Sequence, residues 1–239
     1  MIQVSQAVSQ IRAILFDKDG TLLDFDRTWC DINNSAARHA AHGDRRLADH
    51  LLRIAGQDPD TGTTIAGSLF AAGNAREIAQ EWIDAGADFA LHALTKDLDS
   101  IFSEGMREAV PLPGVPEVFS HLHQLDLHLG IASSDAEASI RIFVKTLGAV
   151  EQLAFIAGYD SGHGPKPEPG MLLAFARQLK LDPRQIAMVG DNTHDLELAR
   201  AANAGLAIGV LSGTGKQSDL EPLADLILDS VADLPGLFS

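Results

Sequence analysis

The feature that most constrains the fold of this chain is a set of short apolar runs, each of which stops at polar residues. The strong runs lie at 11–16, 127–132, 186–189 and 206–211. Runs of this length predict buried strands of a parallel sheet. Weaker runs at 153–157 and 225–228 predict two further strands.

Helical patterns separate the predicted strands. They cover 115–125, 136–147, 169–179 and 193–202. Asp135 and Thr193 are suitable N-cap residues for two of these helices. Strands that alternate with helices predict an α/β fold, with a Rossmann-like doubly wound parallel sheet that carries helices on both faces. Ligands of such sheets bind at the carboxyl ends of the strands, where the polar clusters of this chain fall.

Residues 24–109 interrupt this alternation, because they contain no convincing strand. Their helical patterns lie at 29–41, 45–55, 75–94 and 97–108. The simplest interpretation is a helical cap domain inserted after the first strand. We therefore predict a core domain of residues 1–23 and 110–239, and a cap domain of residues 24–109.

The charge of the chain limits its partners. It has 239 residues and a formal net charge of −15, which argues against a nucleic-acid or acidic-membrane surface. An anion site would need local cations or a metal. No uncharged apolar run approaches the roughly 20 residues of a membrane span, and residues 1–12 lack the pattern of a signal peptide. We expect a cytoplasmic protein, monomeric or homodimeric.

Four polar clusters follow the predicted strands, and each has an ordinary structural explanation. Asp17 to Gly20 could be a strand end with an Asp-Gly turn, and Ser133 could precede a helix. Lys166 could be a solvated lysine held between prolines, and the Asp191 to Asp195 cluster could cap a helix. Taken singly, none of the four predicts a function.

In this order, however, the four clusters resemble the motifs of the haloacid dehalogenase-like superfamily of phosphohydrolases. The likeness covers residues 14 to about 215, and the helical insert lies where that superfamily carries its type 1 cap. The resemblance implies a Mg²⁺-dependent phosphatase that acts on a small phosphorylated metabolite through an aspartyl-phosphate intermediate.

The resemblance assigns the chemistry to the first cluster. It makes Asp17 the nucleophile, and a carboxylate needs no activating base to attack phosphorus. It makes Asp19 the general acid and base, which protonates the leaving group and later deprotonates water. An acid two residues after the nucleophile points to phosphate esters or to sugar-phosphate transfer.

The resemblance also implies the ligands of a Mg²⁺ ion and of the phosphate. Asp17, the backbone carbonyl of Asp19, and Asp191 match the metal ligands, and oxygen ligands suit Mg²⁺. Asp195 is either a further ligand or an acceptor behind the ligands. Ser133 and Lys166 match the phosphate-binding pair, and Lys166 also keeps Asp17 ionised; Ser134 and the backbone N–H of Gly20 are lesser candidates.

Three points concern specificity. The segments 208–215 and 160–166 resemble those of phosphoglycolate phosphatase-like members. For the cap, we expect Arg27, Arg53, Arg76 and the 62–66 loop to select the leaving group. Lys18, unusual between the two acids, should face away from the site and pair with another acid. A phosphoglucomutase-like activity and a non-catalytic binding module remain alternatives.

Overall fold

The computed structural model describes residues 2–238, and a six-stranded parallel sheet lies at the centre of this part of the chain. The strands are β1 Ala13–Phe16, β2 His128–Ala132, β3 Leu153–Ala157, β4 Ile186–Gly190, β5 Leu206–Val210 and β6 Leu226–Leu228. Their order in the sheet is β3-β2-β1-β4-β5-β6, and every neighbouring pair is parallel. The predicted doubly wound α/β fold is confirmed, including its two weaker strands.

Helices occupy most of the remaining sequence between residues 2 and 238. They are α1 Ile2–Gln10, α2 Phe25–Ala40, α3 Arg45–Ala55, α4 Leu69–Ala72, α5 Ala75–Asp84, α6 Leu91–Gly105, α7 Val115–Gln124, α8 Glu137–Leu147, α9 Gly170–Leu179, α10 Thr193–Ala201 and α11 Gln217–Leu220. Short 3₁₀ turns cover Met106–Glu108, Val150–Gln152, Pro183–Gln185 and Val231–Gly236. Among these helices, none combines the length and the apolarity that crossing a bilayer requires.

The central strand β1 shows why the sheet is covered on both faces. Its four residues are all buried, and successive side chains of a strand point to opposite faces. Ala13 and Leu15 belong to a hydrophobic core that includes residues of α9 and α10. Ile14 and Phe16 belong to a second core, which includes residues of α7, α8 and the helices that follow β1. A strand buried on both faces has to be apolar throughout, as this one is.

The helices α2 to α6 and the 3₁₀ turn after them form one segment between β1 and α7, called here the helical segment (25–108). The two connections to it run side by side. Leu23 and Pro111 form an isolated antiparallel bridge, and the Asp24 N–H donates to the Val110 carbonyl at 2.9 Å. The chain therefore leaves and re-enters the sheet layer at one place, while the domain boundaries at 24 and 109 stay a prediction.

Two details of the helical segment differ from the sequence prediction. The pattern at 75–94 is not one helix, because α5 ends at Asp84 and α6 begins at Leu91. Gly86 lies between them with a φ of 113°, a left-handed conformation that glycine adopts without strain. The helix predicted to begin at Asp97 is the second half of α6. The N-terminal helix α1 was not predicted.

The predicted N-caps of α8 and α10 are each one residue out of place. The N-cap of α8 is Ala136, and Asp135 precedes it. The N-cap of α10 is Asn192, whose side chain accepts a hydrogen bond from the His194 N–H, while Thr193 is the first helical residue. Both shifts leave an acidic or amide side chain at the edge of the sheet where the strands end.

Candidate active site

The polar clusters meet in one pocket at the carboxyl edge of the sheet. Asp17 follows β1, Ser133 follows β2 and Asp191 follows β4, and β1 lies between the other two strands. The helical segment covers this edge and leaves a pocket between itself and the sheet layer. The predicted site residues that line the pocket are Asp17, Asp19, Ser133, Ser134, Lys166, Asp191 and Asp195.

A buried lysine joins two of the acids. The Nζ atom of Lys166 lies 2.5 Å from Oδ1 of Asp17 and 2.6 Å from Oδ1 of Asp195. Burial alone would lower the pKa of Lys166, but the two carboxylates raise it above its ordinary value. The lysine is therefore a fixed positive charge next to Asp17.

Three buried carboxylates form a group that suits a cation. Asp17, Asp191 and Asp195 each offer one oxygen, and these atoms lie within 4.8 Å of one another. Burial raises the pKa of Asp17 well above its usual range, although Lys166 opposes this. Burial and the charge of Asp195 raise the pKa of Asp191 to about 7. A group of hard oxygen donors with excess negative charge fits a divalent ion such as Mg²⁺.

The three carboxylates differ in how many of their oxygens are already engaged. Asp195 uses Oδ1 for Lys166 and Oδ2 for the Asn192 N–H at 3.1 Å. Asp191 accepts from Thr21 Oγ1 at 3.2 Å and from the Thr214 N–H at 2.9 Å. Oδ2 of Asp17 has no hydrogen-bond partner within the described chain. This pattern favours Asp195 as a support for Lys166 rather than as a direct ligand.

Both carboxylate oxygens of Asp19 accept hydrogen bonds from other side chains. Its Oδ1 accepts from Nζ of Lys18 and from Nε1 of Trp29, both at 2.6 Å, and its Oδ2 accepts from Ser133 Oγ at 3.3 Å. Lys18 is fully buried and also lies 3.2 Å from Oδ2 of Asp135. The prediction that Lys18 pairs with another acid is confirmed, and Lys18 does not itself line the pocket, although both acids that it contacts do.

Trp29 and Asp135 are site residues that the sequence analysis missed. Trp29 begins the helical pattern predicted at 29–41, to which no site role was assigned, and Asp135 was predicted as a helix cap. Both line the pocket. The position of Asp135 directly after Ser133 and Ser134 was an available signal. No signal in the sequence shows that the Trp29 indole reaches across to the strand edge.

Gly20 does not offer its N–H to a phosphate. That N–H donates to the Leu23 carbonyl at 2.9 Å, and Gly20 does not line the pocket. Its φ is +80°, and a Cβ atom there would lie 2.7 Å from Oδ2 of Asp191. Gly20 therefore gives Asp191 room to approach, which corrects its predicted role.

The two serines after β2 differ in the hydrogen bonding of their hydroxyl groups. The hydroxyl of Ser133 donates to Asp19 and accepts from the Asp135 N–H at 3.1 Å, so it is already engaged. The hydroxyl of Ser134 makes no hydrogen bond to any residue that the structure describes, and it lines the pocket. Ser134, the lesser candidate from the sequence, is the one that is free to meet a ligand.

The arginines predicted to select the leaving group are outside the pocket wall, as is the 62–66 loop. Arg27 is exposed, and its Nη1 lies 3.9 Å from Asp24. Arg53 is exposed and bonds to the backbone of its own helix, and Arg76 lines a separate groove. These predictions are wrong because the charged faces of α2, α3 and α5 point away from the strand edge.

One further contact joins the helical segment to the sheet layer. The Tyr159 hydroxyl, which follows β3, contacts both oxygens of Asp99 on α6 at 3.0 and 3.1 Å. Partial burial raises the pKa of Asp99 to about 6, although the hydrogen bond from Tyr159 opposes the rise. At neutral pH, the negative charge of Asp99 therefore destabilises the folded chain.

We expect Asp99→Asn to stabilise the fold at pH 7.5 by about 1 kcal/mol. The value is kept small because Asp99 is only partly buried, so solvent screens its charge. The pKa of Asp99 is higher in the folded chain than the ordinary value near 4, so its contribution to stability falls as pH rises from about 4 to 6. The gain should vanish at pH 4. Urea unfolding at both pH values measures it, with the exposed Asp88→Asn as control. An equal gain at both pH values would contradict the assignment.

Comparisons with known proteins agree with the fold and the clusters. A family model described as haloacid dehalogenase-like hydrolase matches residues 11–203. The phosphoglycolate phosphatase of Salmonella paratyphi A is 27% identical over 95% of this chain and 92% of its own length. Two solved structures share the fold. A predicted phosphoglycolate phosphatase from Haemophilus somnus has a TM-score of 0.75 at 19% identity, covering 96% of this chain and 99% of its own. CbbY from Rhodobacter sphaeroides in complex with phosphate has a TM-score of 0.71 at 22% identity. The match covers 94% of this chain and 96% of the CbbY chain. The resemblance predicted from the four clusters is confirmed.

Proposed function

We propose, because this chain belongs to the haloacid dehalogenase-like hydrolase family, that it hydrolyses a small organic phosphate monoester with the help of Mg²⁺. The observation that carries the proposal is the pair of Asp17 and Lys166, buried at the edge of β1 beside Asp191. Phosphoryl transfer needs a nucleophile, positive charge near the phosphate and a divalent cation. Asp17 has one carboxylate oxygen free to attack, Lys166 is a fixed ammonium, and the carboxylate group suits a cation. The similarity to phosphoglycolate phosphatases makes phosphoglycolate the first compound to assay.

In the first chemical step, Oδ2 of Asp17 forms a bond to phosphorus as the ester P–O bond breaks. The leaving oxygen takes a proton from Asp19, and an aspartyl-phosphate results. Lys18 and Trp29 engage Oδ1 of Asp19 at 2.6 Å, so Oδ2, which accepts only the longer bond from Ser133 Oγ at 3.3 Å, is the oxygen that gives the proton to the leaving group. In the second step, Asp19 accepts a proton from water, water oxygen bonds to phosphorus, and the bond to Asp17 breaks to release phosphate.

The other residues stabilise charge and position. Phosphoryl transfer spreads negative charge over three equatorial oxygens, so donors around them lower the barrier. Lys166 is buried close to Asp17, and the free hydroxyl of Ser134 lines the same space. Asp17 and Asp191 would hold Mg²⁺, which would neutralise part of the developing charge when bound.

We expect removal of divalent metal to abolish phosphate release. Excess EDTA should lower the rate by at least about 100-fold, because the charge that the metal offsets is worth several kcal/mol. Added Mg²⁺ should restore it. The assay is phosphate release from a panel with phosphoglycolate, p-nitrophenyl phosphate and β-glucose 1-phosphate.

The same panel distinguishes the competing activities. Release that is indifferent to EDTA would contradict the metal assignment. A mutase would convert the glucose ester into an isomeric ester without releasing phosphate. A binding module would turn over none of the compounds.

A further inference from the structure

The wall that the helical segment contributes to the pocket is unusual for a site that binds an anion. It consists of apolar and aromatic side chains with two neutral amides. These residues are Phe25, Trp29, Phe70, Ile78, Phe102, Asn33 and Asn74. The carboxylates and Lys166 all lie on the sheet side. The sheet side of the pocket is therefore charged and suits the phosphate. The side formed by the helical segment, called here the roof, is uncharged and faces the rest of the substrate.

Positive charge is scarce around the pocket. Among its described lining residues, the side chains that can carry it are Lys166 and His194, and both lie on the sheet side. Two carboxylates already engage Lys166. His194 lies on α10, on the sheet side of the pocket, and its Nδ1 is buried without a hydrogen-bond partner among the described residues. The side of the pocket formed by the helical segment offers no cation among its described lining residues, so a second anionic group placed there would lose water without a charged partner, which is costly in a buried place.

Asn33 adds a specific polar position to the roof. It is fully buried on α2, and its Nδ2 donates to Oε1 of Gln57 at 2.9 Å. Its Oδ1 is buried without a hydrogen-bond partner among the described residues. Leaving a buried carbonyl oxygen without a hydrogen bond is unfavourable, so a hydroxyl or N–H group of a ligand would be favoured there.

We propose that the substrate is the phosphate monoester of an uncharged alcohol, with an apolar or aromatic portion that packs under the roof and a hydrogen-bond donor that meets Asn33. This inference rests on the proposed phosphatase activity and narrows its substrate class. It also separates this chain from the phosphoglycolate phosphatases that it resembles, because the leaving group of phosphoglycolate carries a carboxylate.

Two matched series of esters test the proposal on the whole protein. The small series is n-propyl phosphate, 2-hydroxyethyl phosphate and phosphoglycolate. The aromatic series is benzyl, 4-hydroxymethylbenzyl and 4-carboxybenzyl phosphate. Within each series, kcat/KM should be at least about 100-fold lower for the carboxylate than for the uncharged members, because the carboxylate would be desolvated without a partner. The hydroxyl member should be preferred in at least one series. A carboxylate preferred in both would overturn the proposal.

A variant and a binding measurement complete the test. Asn33→Leu should remove the preference for the hydroxyl member over its apolar partner; a preference that persists would exclude Asn33 as its acceptor. Should no ester be hydrolysed, the proposed activity fails, and calorimetric titration of the same esters into Asp17→Asn still tests the inference. Tighter binding of the uncharged esters would sustain the inference, and equal or tighter binding of the carboxylates would refute it.

Discussion

We expect Asp17→Asn to lower phosphate release by at least about 10⁴-fold, because an amide cannot form the bond to phosphorus that the carboxylate forms. The substitution keeps the size and shape of the side chain. Lys166 retains Asp195 at 2.6 Å, so its charge stays paired. Burial raises the pKa of Asp17, so its ionised form is not a source of stability that the amide would remove. The melting temperature should therefore be equal to that of the parent chain or higher.

The matched control for this variant is Asp126→Asn. Asp126 is exposed, and its φ of 57° is one that asparagine also adopts readily. Asp126→Asn should leave both the rate of phosphate release and the melting temperature unchanged. Steady-state phosphate release and circular dichroism measure the two properties. If Asp17→Asn retains more than about one tenth of the parent rate, another group attacks phosphorus and the mechanism has to be rebuilt.

The fold of this chain was predictable because its signals are periodic and local. Each strand of the sheet is a short apolar run, and all of β1 is buried on both faces. The convergence of Asp17, Ser133 and Asp191 followed from geometry, since the carboxyl ends of parallel strands share one edge. That argument needs only the order of the elements and no knowledge of side-chain directions.

The details that were missed depend on directions and on long-range contacts. Lys18 comes after the end of β1, where strand alternation no longer decides which way a side chain points, so its contact with Asp19 itself was not predicted. The amphipathic pattern of α2 indicates that Trp29 is buried, but not that its indole reaches Asp19. The break at Gly86 was missed because a single glycine is tolerated within a helical pattern.

Lys18 lies at the centre of a buried network that joins the sheet to the helical segment. Its ammonium bonds to Asp19 at 2.6 Å and to Asp135 at 3.2 Å, and it lies 5.1 Å from the centre of the Trp29 ring. Burial raises the pKa of Asp135, and the charge of Lys18 opposes that rise. Burial would lower the pKa of Lys18, but the two carboxylates raise it above its ordinary value. The positive charge is therefore what allows Asp135 to be buried close to the partly buried Asp19.

We expect Lys18→Met to lower the free energy of unfolding by about 3–5 kcal/mol, the usual effect of leaving buried charges without their partner. Without the ammonium, the pKa of Asp135 in the folded chain should rise further above its unfolded value, so the deficit should grow as pH rises and shrink in acid. Urea unfolding between pH 5 and 8 measures this. Lys145→Met removes an exposed lysine and serves as the control. Adding Asp135→Asn to Lys18→Met should recover part of the loss, because one of the two unpaired charges is then gone. A loss below about 1 kcal/mol would mean that the acids are held by other contacts, and that Lys18 fills space rather than balances charge.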